Sequence, residues 1–231
     1  MKKPYVTAAI LAAGLGTRLS NQETKQKMCL LGKSIIRRAV ELFDASALVD
    51  DIIVVIRREE EEFVKRELVG ITKPYKLVVG GSFRSESSKN AFFALNSEAE
   101  FIAIHDAARC ITDVSDIENV IKDAFVYGAA TASREVFDTV KEINAGFIKG
   151  TVSRDKLRFV ETPQVFSRNI YKKALDGAGE LDASITDDNM LVEKSGAKIF
   201  MTKMQKENLK ITTKSDLTYA EFILKGQLSD E

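Results

Sequence analysis

The sequence is poor in several residue types and has no excess of charge of either sign. Tryptophan is absent, and the 231 residues include only three prolines, two cysteines and one histidine. Basic and acidic residues number 34 each, so the formal net charge is zero. A chain without excess positive charge is not expected to bind nucleic acid or an anionic membrane through its overall charge. Any functional charge must therefore be local.

Long apolar stretches are also missing. No apolar run approaches the roughly 20 residues that a membrane-spanning helix needs. The basic start and the short apolar run of residues 1–13 superficially resemble a signal peptide, but glycines and a charged segment follow at once, which favours a buried strand. Cys29 and Cys110 have no metal-binding spacing and are interpreted as free thiols. We therefore expect a protein of the reducing cytoplasm.

The sequence does contain a regular alternation of apolar runs and amphipathic segments. Strands are predicted over residues 6–13, 51–57, 75–80 and 101–105, and helices over residues 34–46, 58–68, 87–96 and 115–128. Asp113 or Ser115 is the candidate cap of the last helix. Continuous apolar strands that alternate with helices predict a mostly parallel sheet covered on both faces. Right-handed crossovers then make the fold a doubly wound α/β sandwich.

The pattern changes after residue 128. Residues 128–136 and 138–143 resemble strands, and residues 145–161 resemble a polar hairpin that could leave the body of the protein. Further helices are predicted over residues 169–178, 187–196 and 215–226, a strand over residues 197–203, and a turn at Pro163. Because neither a linker-like composition nor an internal repeat interrupts the chain, we predict one domain over residues 1–231.

The first residues that could carry chemistry follow the first strand. In an open α/β sheet, ligands bind beyond the carboxyl ends of the strands. Gly14 and Gly16 expose bare backbone there, so their N–H groups can approach an anion closely. Arg18 and Lys25 could then neutralise phosphate oxygens. The pattern is neither a Walker A motif nor GxGxxG, so a simple tight turn stays open as the alternative.

A second group of candidates lies further along the chain. Asp106, at the mouth of a buried strand, needs a partner or a cation, and beside a phosphate site it suggests Mg²⁺. Arg109 could hold a second anion, the alternative being a structural ion pair with Asp106. His105 is interpreted as structural. Lys210 precedes the last helix, where a lone lysine is usually a surface residue. Nearby Glu207 is a candidate for a second metal carboxylate, a solvated surface position being the alternative.

These motifs occur together in an order that is known from one family. The segments AAGLGTR, KQ, GGSFRSESS, HDAAR, DTVK, ETPQVF, ITDDNMLVE and NLKIT follow one another over nearly the whole chain. The ordered set resembles the 2-C-methyl-D-erythritol 4-phosphate cytidylyltransferases of non-mevalonate isoprenoid biosynthesis. The resemblance implies a Rossmann-like nucleotidyltransferase fold in which a β-arm, residues 138–160, makes a homodimer. It also implies that CTP and 2-C-methyl-D-erythritol 4-phosphate react to give 4-diphosphocytidyl-2-C-methyl-D-erythritol and pyrophosphate.

The same resemblance implies a role for each matching residue. Those expected to bind the nucleotide are Ala12, Ala13, Gly14, Leu15, Gly16, Gly80, Gly81, Arg84 and Ser87. Those expected to act in catalysis are Arg18, Lys25 and Lys210. Those expected to bind the polyol phosphate are Asp106, Ala107, Arg109, Thr139, Arg154 and Thr162, with Asp106 also binding Mg²⁺. The arm is expected to lend Arg154 and Thr162 to the active site of the other subunit.

The chain also departs from the family pattern. Thr24 and Cys110 stand in place of prolines, Met204 in place of a glycine, and Ser82 followed by Phe83 where an acidic residue is usual. Thr24 is expected to loosen the loop that carries Lys25, since proline limits the conformations of the unfolded chain. Two other functions stay open: the same reaction on ribitol 5-phosphate, and a nucleotide-binding homologue without turnover. A Rossmann dehydrogenase is disfavoured, because the third glycine is missing.

Overall fold

A computed structural model of the chain describes residues 3–14 and 24–229. Its strands are β1 (Val6–Leu11), β2 (Cys29–Leu30), β3 (Lys33–Ser34), β4 (Asp51–Ile56), β5 (Tyr75–Val79), β6 (Phe101–Asp106), β7 (Ala129–Glu135), β8 (Val140–Asn144), β9 (Phe147–Val152), β10 (Arg158–Ser167) and β11 (Phe200–Lys203). Its α-helices are α1 (Ile35–Ala45), α2 (Glu61–Glu67), α3 (Arg84–Phe93), α4 (Val114–Tyr127), α5 (Arg168–Asp176), α6 (Asp188–Lys194) and α7 (Lys214–Ser229).

Seven of these strands form one sheet in the order β11-β7-β10-β6-β1-β4-β5. The strands from β6 to β5 pair in parallel, as β1 with β6, β1 with β4, and β4 with β5. β10 runs antiparallel to both β6 and β7, whereas β11 is parallel to β7. The predicted fold class, a mostly parallel sheet between helices, is therefore confirmed.

The centre of the sheet is buried on both faces. Every residue of β1 and of β4 is buried, which agrees with their continuous apolar sequences. Alternate residues point to opposite faces, so Ile10 packs into the cluster that includes α1 and α4, and Ala9 into the cluster that includes α3 and α5. The sheet thus has a rigid centre, and the carboxyl ends of its parallel strands form a fixed edge.

Several boundaries differ from the predictions. Helix α3 begins at Arg84 and not at residue 87, so Arg84 lies on a helix and not in the preceding loop. Asp113, and not Ser115, caps α4, since the Ser115 N–H donates to Asp113 Oδ1 at 2.7 Å. The prediction of a turn at Pro163 is wrong, because β10 continues through this residue. The pairing of β10 with β7 shifts its register between Val160 and Gln164.

The predicted arm is shorter than expected. β8 and β9 form a separate two-stranded sheet, whereas Arg158–Val160 already belong to the main sheet. The arm is also less polar than expected, because Ile143, Phe147 and Ile148 are each about two-thirds exposed or more. Such side chains on an isolated hairpin leave a substantial apolar surface open to solvent.

No helix in the described part of the chain combines the length and the apolar character needed to cross a membrane.

Candidate functional site

The site forms where the parallel strands end. β1 and β6 are in register, with Leu11 opposite Asp106, so the segment after β1 lies beside Asp106. The Ala12 N–H donates to the Val55 carbonyl at 2.8 Å, and the Gly80 N–H donates to the Ile56 carbonyl at 2.9 Å. These bonds bring the ends of β1, β4 and β5 together around a cavity of about 560 Å³, which we call the large cavity.

Close backbone packing shapes one wall of the large cavity. A Cβ atom at Gly80 would lie 2.4 Å from the Ala13 Cβ, so only glycine allows the segments after β1 and β5 to approach this closely here. The Gly81 N–H donates to Ser87 Oγ at 3.1 Å, and Ser87 Oγ donates to the Phe83 carbonyl at 3.1 Å. The first turn of α3 therefore fixes the backbone of the GG segment.

Most of the residues that are predicted to bind the nucleotide line the large cavity. The predicted residues in its wall are Ala13, Gly14, Lys25, Gly80, Gly81, Arg84, Ser87, Asp106 and Lys210. Among the described residues, none would lie within 4 Å of a Cβ at Gly14, as expected for a backbone that a ligand approaches. Leu15, Gly16 and Arg18 lie outside the described residues.

A second cavity of about 240 Å³, the small cavity, adjoins the first. Its wall consists almost entirely of polar side chains, which come from β10, from the residues just before α6, from the loop before α7, from α3 and from the end of β6. The lining residues are Arg84, Asp106, Arg109, Val160, Glu161, Thr162, Gln164, Thr186, Asp187 and Lys210. Arg84, Asp106 and Lys210 line both cavities and so form the junction between them.

Asp106 is the centre of this junction. Its Oδ1 accepts from Arg84 Nε at 3.1 Å, and its Oδ2 accepts from Lys210 Nζ at 2.6 Å. Burial alone would raise the pKa of Asp106, but the positive charges of Arg84, Lys210 and Arg109 outweigh it and hold this pKa well below its usual range. Asp106 is therefore ionised under all ordinary conditions.

Arg84 is held from behind by a buried carboxylate. Arg84 Nη1 donates to Asp188 Oδ2 at 2.6 Å, and Tyr171 Oη donates to Asp188 Oδ1 at 2.5 Å. Burial by itself would lower the pKa of Arg84, but Asp188 and Asp106 raise it above its usual value. Burial and the Asp188 charge raise the pKa of Tyr171, so its hydroxyl stays protonated and keeps donating.

His105 supports the junction without touching either cavity. Its Nε2 lies 3.0 Å from the Arg109 carbonyl, which can only accept, so Nε2 bears the hydrogen. Its Nδ1 then accepts from the Thr162 hydroxyl at 3.2 Å, and Thr162 Oγ1 accepts from the Asp106 N–H at 3.0 Å. Burial lowers the pKa of His105 to about 4, so the ring is neutral near pH 7. The structural interpretation of His105 agrees with these contacts.

Arg109 closes the far side of the small cavity. It donates to the Asn208 carbonyl at 2.6 Å and lies 3.7 Å from Glu161 Oε1. The Asn208 amide donates to Glu161 Oε2 at 3.0 Å and to the Thr162 carbonyl at 2.8 Å. Arg109 therefore pairs with Glu161 and not with Asp106, which removes the structural ion pair considered from the sequence.

The residues at the junction fit a divalent cation. Within residues 3–14 and 24–229 no group of three or more His, Cys, Asp or Glu side chains converges as a closed metal cage. Mg²⁺ does not need one, because it commonly takes one or two carboxylates and completes its shell with phosphate oxygens and water. Asp106 is an ionised carboxylate at the meeting point of both cavities, and a bound Mg²⁺ would share its oxygens with Arg84 and Lys210. Glu207 is exposed and lines neither cavity.

Four other predicted residues do not line either cavity. Ala12 and Ala107 are fully buried next to the site. Thr139 is exposed between β7 and β8, and Arg154 is exposed in a 3-10 turn after β9, where it donates to the Phe137 carbonyl. A single chain thus leaves both arm residues away from Asp106.

The expectation that the arm lends Thr162 to another subunit is wrong. Thr162 lies in β10 of the main sheet and is 4% exposed. Its hydroxyl bonds the backbone of Asp106 in the same chain, so it belongs to the site of its own chain.

Sequence reasoning missed several residues that build the site. In the sequence, Asp188 looks only like part of a helix start, and no pattern assigns a role to Glu161, Gln164 or Asn208. Gln164 Nε2 donates to Asp187 Oδ2 at 2.9 Å, and its Oε1 accepts from the Asp188 N–H at 3.0 Å. All of them lie in the quoted motifs ETPQVF, ITDDNMLVE and NLKIT, but no spacing rule connects segments that meet only through the tertiary fold.

Comparisons with known proteins agree with this geometry. A family model described as 2-C-methyl-D-erythritol 4-phosphate cytidylyltransferase matches residues 6–226. The protein of that name from Clostridium acetobutylicum is 39% identical over 222 residues, which cover 94% of this chain and 96% of the relative. The one from Pelotomaculum thermopropionicum is 35% identical over 226 residues, which cover 96% and 95%.

Solved structures give the same result. The 4-diphosphocytidyl-2C-methyl-D-erythritol synthase of Anaerococcus prevotii superposes with a TM-score of 0.85 at 25% identity, over 97% of this chain and 100% of that one. The 2-C-methyl-D-erythritol 4-phosphate cytidylyltransferase of Francisella tularensis superposes with a TM-score of 0.79 at 27% identity, over 94% and 99%. The chain belongs to the 2-C-methyl-D-erythritol 4-phosphate cytidylyltransferase family and is therefore a nucleotidyltransferase.

Proposed function

We propose that this chain joins CTP and 2-C-methyl-D-erythritol 4-phosphate to give 4-diphosphocytidyl-2-C-methyl-D-erythritol and pyrophosphate, a step of non-mevalonate isoprenoid biosynthesis. The observation that supports it best is the pair of adjoining cavities that share Arg84, Asp106 and Lys210. Two substrates that react with each other need two neighbouring sites, with the reacting groups at their junction.

The large cavity suits the nucleotide. Apolar side chains and the glycine wall can accept a flat base, while basic side chains surround the space in which phosphates would lie. Among the described lining residues, the basic ones are Lys25, Arg57, Arg58, Arg84 and Lys210, and the acidic ones are Glu59 and Asp106. This excess of positive charge favours a triphosphate.

The small cavity suits the polyol phosphate. Its hydrogen-bonding groups can bind several hydroxyl groups, and Arg109 can bind a phosphate. Burial lowers the pKa of Arg109, but a guanidinium stays protonated near pH 7. Arg109 is therefore a permanent positive charge at the end of this cavity.

The chemistry follows from charge. The phosphate of the polyol attacks the α-phosphorus of CTP, a new P–O bond forms, and the bond to the pyrophosphate leaving group breaks. The attacking phosphate is already anionic, so the obstacle is repulsion between two anions and growth of charge in the transition state. Lys25 and Lys210, placed in advance around the cavity, reduce both, and Arg18 is proposed to act with them.

Asp106 is proposed to hold Mg²⁺. The bound ion would supply additional positive charge to the phosphate oxygens. The chain's own contribution is an ionised carboxylate that Arg84 and Lys210 keep in one orientation.

The arm is proposed to pair with a second copy of the chain. An isolated two-stranded hairpin is marginally stable in water, and this one exposes Phe147 by 78% and Ile148 by 67%. A homodimer would cover both side chains and could bring Arg154 to the small cavity of its partner. Sedimentation of Phe147→Ser should give a monomer if the arm makes the dimer, and an unchanged dimer would contradict this assignment.

We propose a cytoplasmic location because both cysteines are free thiols. Cys29 and Cys110 form no disulfide, and burial raises the pKa of the Cys110 thiol to about 12. Unpaired thiols suit a reducing compartment.

A pyrophosphate-release assay tests the reaction. CTP, UTP, ATP and GTP are each combined with 2-C-methyl-D-erythritol 4-phosphate or ribitol 5-phosphate, with and without Mg²⁺. We expect release with CTP, the methylerythritol substrate and Mg²⁺. Faster release with ribitol 5-phosphate would assign the other polyol, and CTP binding without release would indicate a homologue without turnover.

A further inference from the structure

The segment that carries Lys25 is a single 3-10 turn at the mouth of the large cavity. The turn covers Lys25–Lys27, and its backbone bonds run from the Lys27 N–H to the Thr24 carbonyl at 3.0 Å and from the Met28 N–H to the Lys25 carbonyl at 3.2 Å. One turn of this kind has poor intrinsic stability. Contacts with the rest of the protein must therefore fix where Lys25 lies.

The first such contact is made by Thr24. Its hydroxyl donates to Glu60 Oε1, and Arg57 contacts the same carboxylate at 3.3 Å. Glu60 is 1% exposed and ends the 3-10 turn Arg58–Glu60 that comes after β4, with its N–H bonded to the Arg57 carbonyl at 3.0 Å. A buried carboxylate needs such partners, so Thr24 is one of the groups that keep Glu60 in place.

The second contact is made by Lys27. Its Nζ lies 5.4 Å from the centre of the Phe63 ring, within the range of a cation–π interaction. Phe63 is on α2 and packs against the main core cluster. The turn is thus attached on both sides of Lys25 to one segment, residues 57–63, which begins at the end of β4.

We propose that Thr24 and Glu60, with Lys27 and Phe63, are positioning residues that hold Lys25 against the phosphates of the nucleotide. The expectation that Thr24 loosens this loop then does not apply, because its hydroxyl bonds a buried carboxylate in the 3-10 turn after β4. The inference rests on the proposed function, which places Lys25 at the CTP phosphates.

The first test is Thr24→Val, which keeps the shape of the side chain and removes the donor. Loss of one hydrogen bond to a charged group at a positioning residue should lower kcat/KM for CTP roughly 10-fold. KM for the polyol phosphate should stay within about twofold, because the small cavity does not include this turn. Thr24→Ser restores the donor and should restore most of the activity.

A matched control separates this role from general stability. Thr72 also donates to a carboxylate, Asp44 Oδ1 at 2.9 Å, but lines neither cavity. Thr72→Val should leave kcat/KM for CTP unchanged. Equal kinetics in Thr24→Val and the parent chain, or equal losses in Thr24→Val and Thr72→Val, would overturn the proposal.

Hydrogen exchange gives a readout that does not depend on activity. The amides of Lys27 and Met28 should exchange about 10-fold faster in Thr24→Val, with a smaller acceleration in Phe63→Leu, which removes the aromatic face. If the parent chain releases no pyrophosphate, the proposed function fails while this measurement still tests the anchor. Unchanged exchange in both variants would show that these contacts do not hold the turn.

Discussion

The two cavities that meet at Asp106 are built in different ways. The large cavity is lined mainly by segments that directly follow the parallel strands β1, β4 and β5. The small cavity shares Arg84 and Asp106 with the large one and has Arg109 after β6, but the rest of its lining comes from β10, from the residues just before α6 and from the loop before α7. Parallel strand ends form a common edge by geometry alone, whereas the second group of segments meets only because β10 enters the sheet antiparallel to β6.

The cavities also differ in chemistry. The large one combines apolar residues, glycines and an excess of basic side chains, which fits a nucleotide. The small one is almost wholly polar, and its charges are already paired with one another, as Arg109 is with Glu161. A site of paired charges is expected to discriminate by exact hydrogen bonding, since an unmatched ligand would leave buried groups without partners. Specificity for the polyol should therefore depend on the small cavity.

The largest effect is expected where the cavities meet. Lys210→Ala removes a charge that lines both of them, so kcat should fall roughly 10²–10³-fold, about 3–4 kcal/mol of transition-state stabilisation. Lys25→Ala, on the large cavity alone, should lower kcat by roughly 10². Steady-state kinetics with each substrate varied in turn would measure both.

The control for Lys210 is its neighbour Lys206, which is exposed on the same loop and lines neither cavity. Lys206→Ala should keep kcat within about twofold. Near-normal turnover of Lys210→Ala and Lys25→Ala would remove both lysines from the mechanism and would leave the junction without its assigned role.

The buried carboxylate behind the junction should have the next largest effect. Asp188 is fully buried and holds Arg84, so Asp188→Asn removes the charge that compensates this guanidinium. We expect the free energy of unfolding to fall by about 3 kcal/mol, the low end for a broken buried pair, because an amide oxygen can still accept from Tyr171. Urea unfolding would measure it.

Asp187 provides the matched control. It precedes Asp188 and caps α6 by accepting from the Met190 N–H at 3.1 Å, a bond that asparagine can also make. Asp187→Asn keeps this bond and loses only the one from Gln164 Nε2 to Asp187 Oδ2, so it should cost about 1 kcal/mol, well below the loss in Asp188→Asn. Equal losses in the two variants would show that the Arg84–Asp188 pair adds nothing beyond the local helix cap.

The comparison of the cavities also explains how far sequence alone could reach. The parallel strands, the helices between them and the polar residues after each strand follow from apolar runs and strand-end rules, and the structure brings Lys25, Asp106 and Lys210 to one place. Lys210 was linked to the others only by resemblance, because it lies more than 100 positions from Asp106 along the chain.

The small cavity could not be predicted from apolar runs and strand-end rules. Pro163 predicted a turn, but β10 continues through it, and this continuation carries Glu161, Thr162 and Gln164 into the site. Asp188 looked like a residue at the start of a helix, and its pairing with Arg84 depends on a contact between residues 104 positions apart. Local patterns contain no information about such contacts.

A smaller effect is expected from pH. Burial lowers the pKa of His105 to about 4 from its ordinary value of 6.5, so the unfolded chain binds a proton before the folded chain does. Stability from this group is fully present above pH 6.5 and is lost as the pH falls towards 4. Between pH 7.5 and 5.0 the free energy of unfolding should fall by about 2 kcal/mol.

Urea unfolding at several pH values would measure this slope. Most of the carboxylate titration lies below this window, and His105 is the only histidine of the chain. His105→Gln keeps polar groups without a titratable ring and should flatten the slope. A slope that persists in this variant would mean that another group is responsible, and that the neutral ring between Thr162 and Arg109 does not set the stability of the small cavity.

The smallest effect is expected from the arm, and it tests whether the small cavity is complete in one chain. Arg154→Ala should raise KM for the polyol phosphate roughly 10-fold, about 1.4 kcal/mol, and leave KM for CTP unchanged if a partner's arm reaches this cavity. Lys156→Ala, in the same exposed turn, is the control and should change neither KM. Because Arg154 lines neither cavity of its own chain, a selective loss of polyol binding would require a second subunit, whereas full polyol affinity in Arg154→Ala would mean that β10, α6 and the loop before α7 suffice.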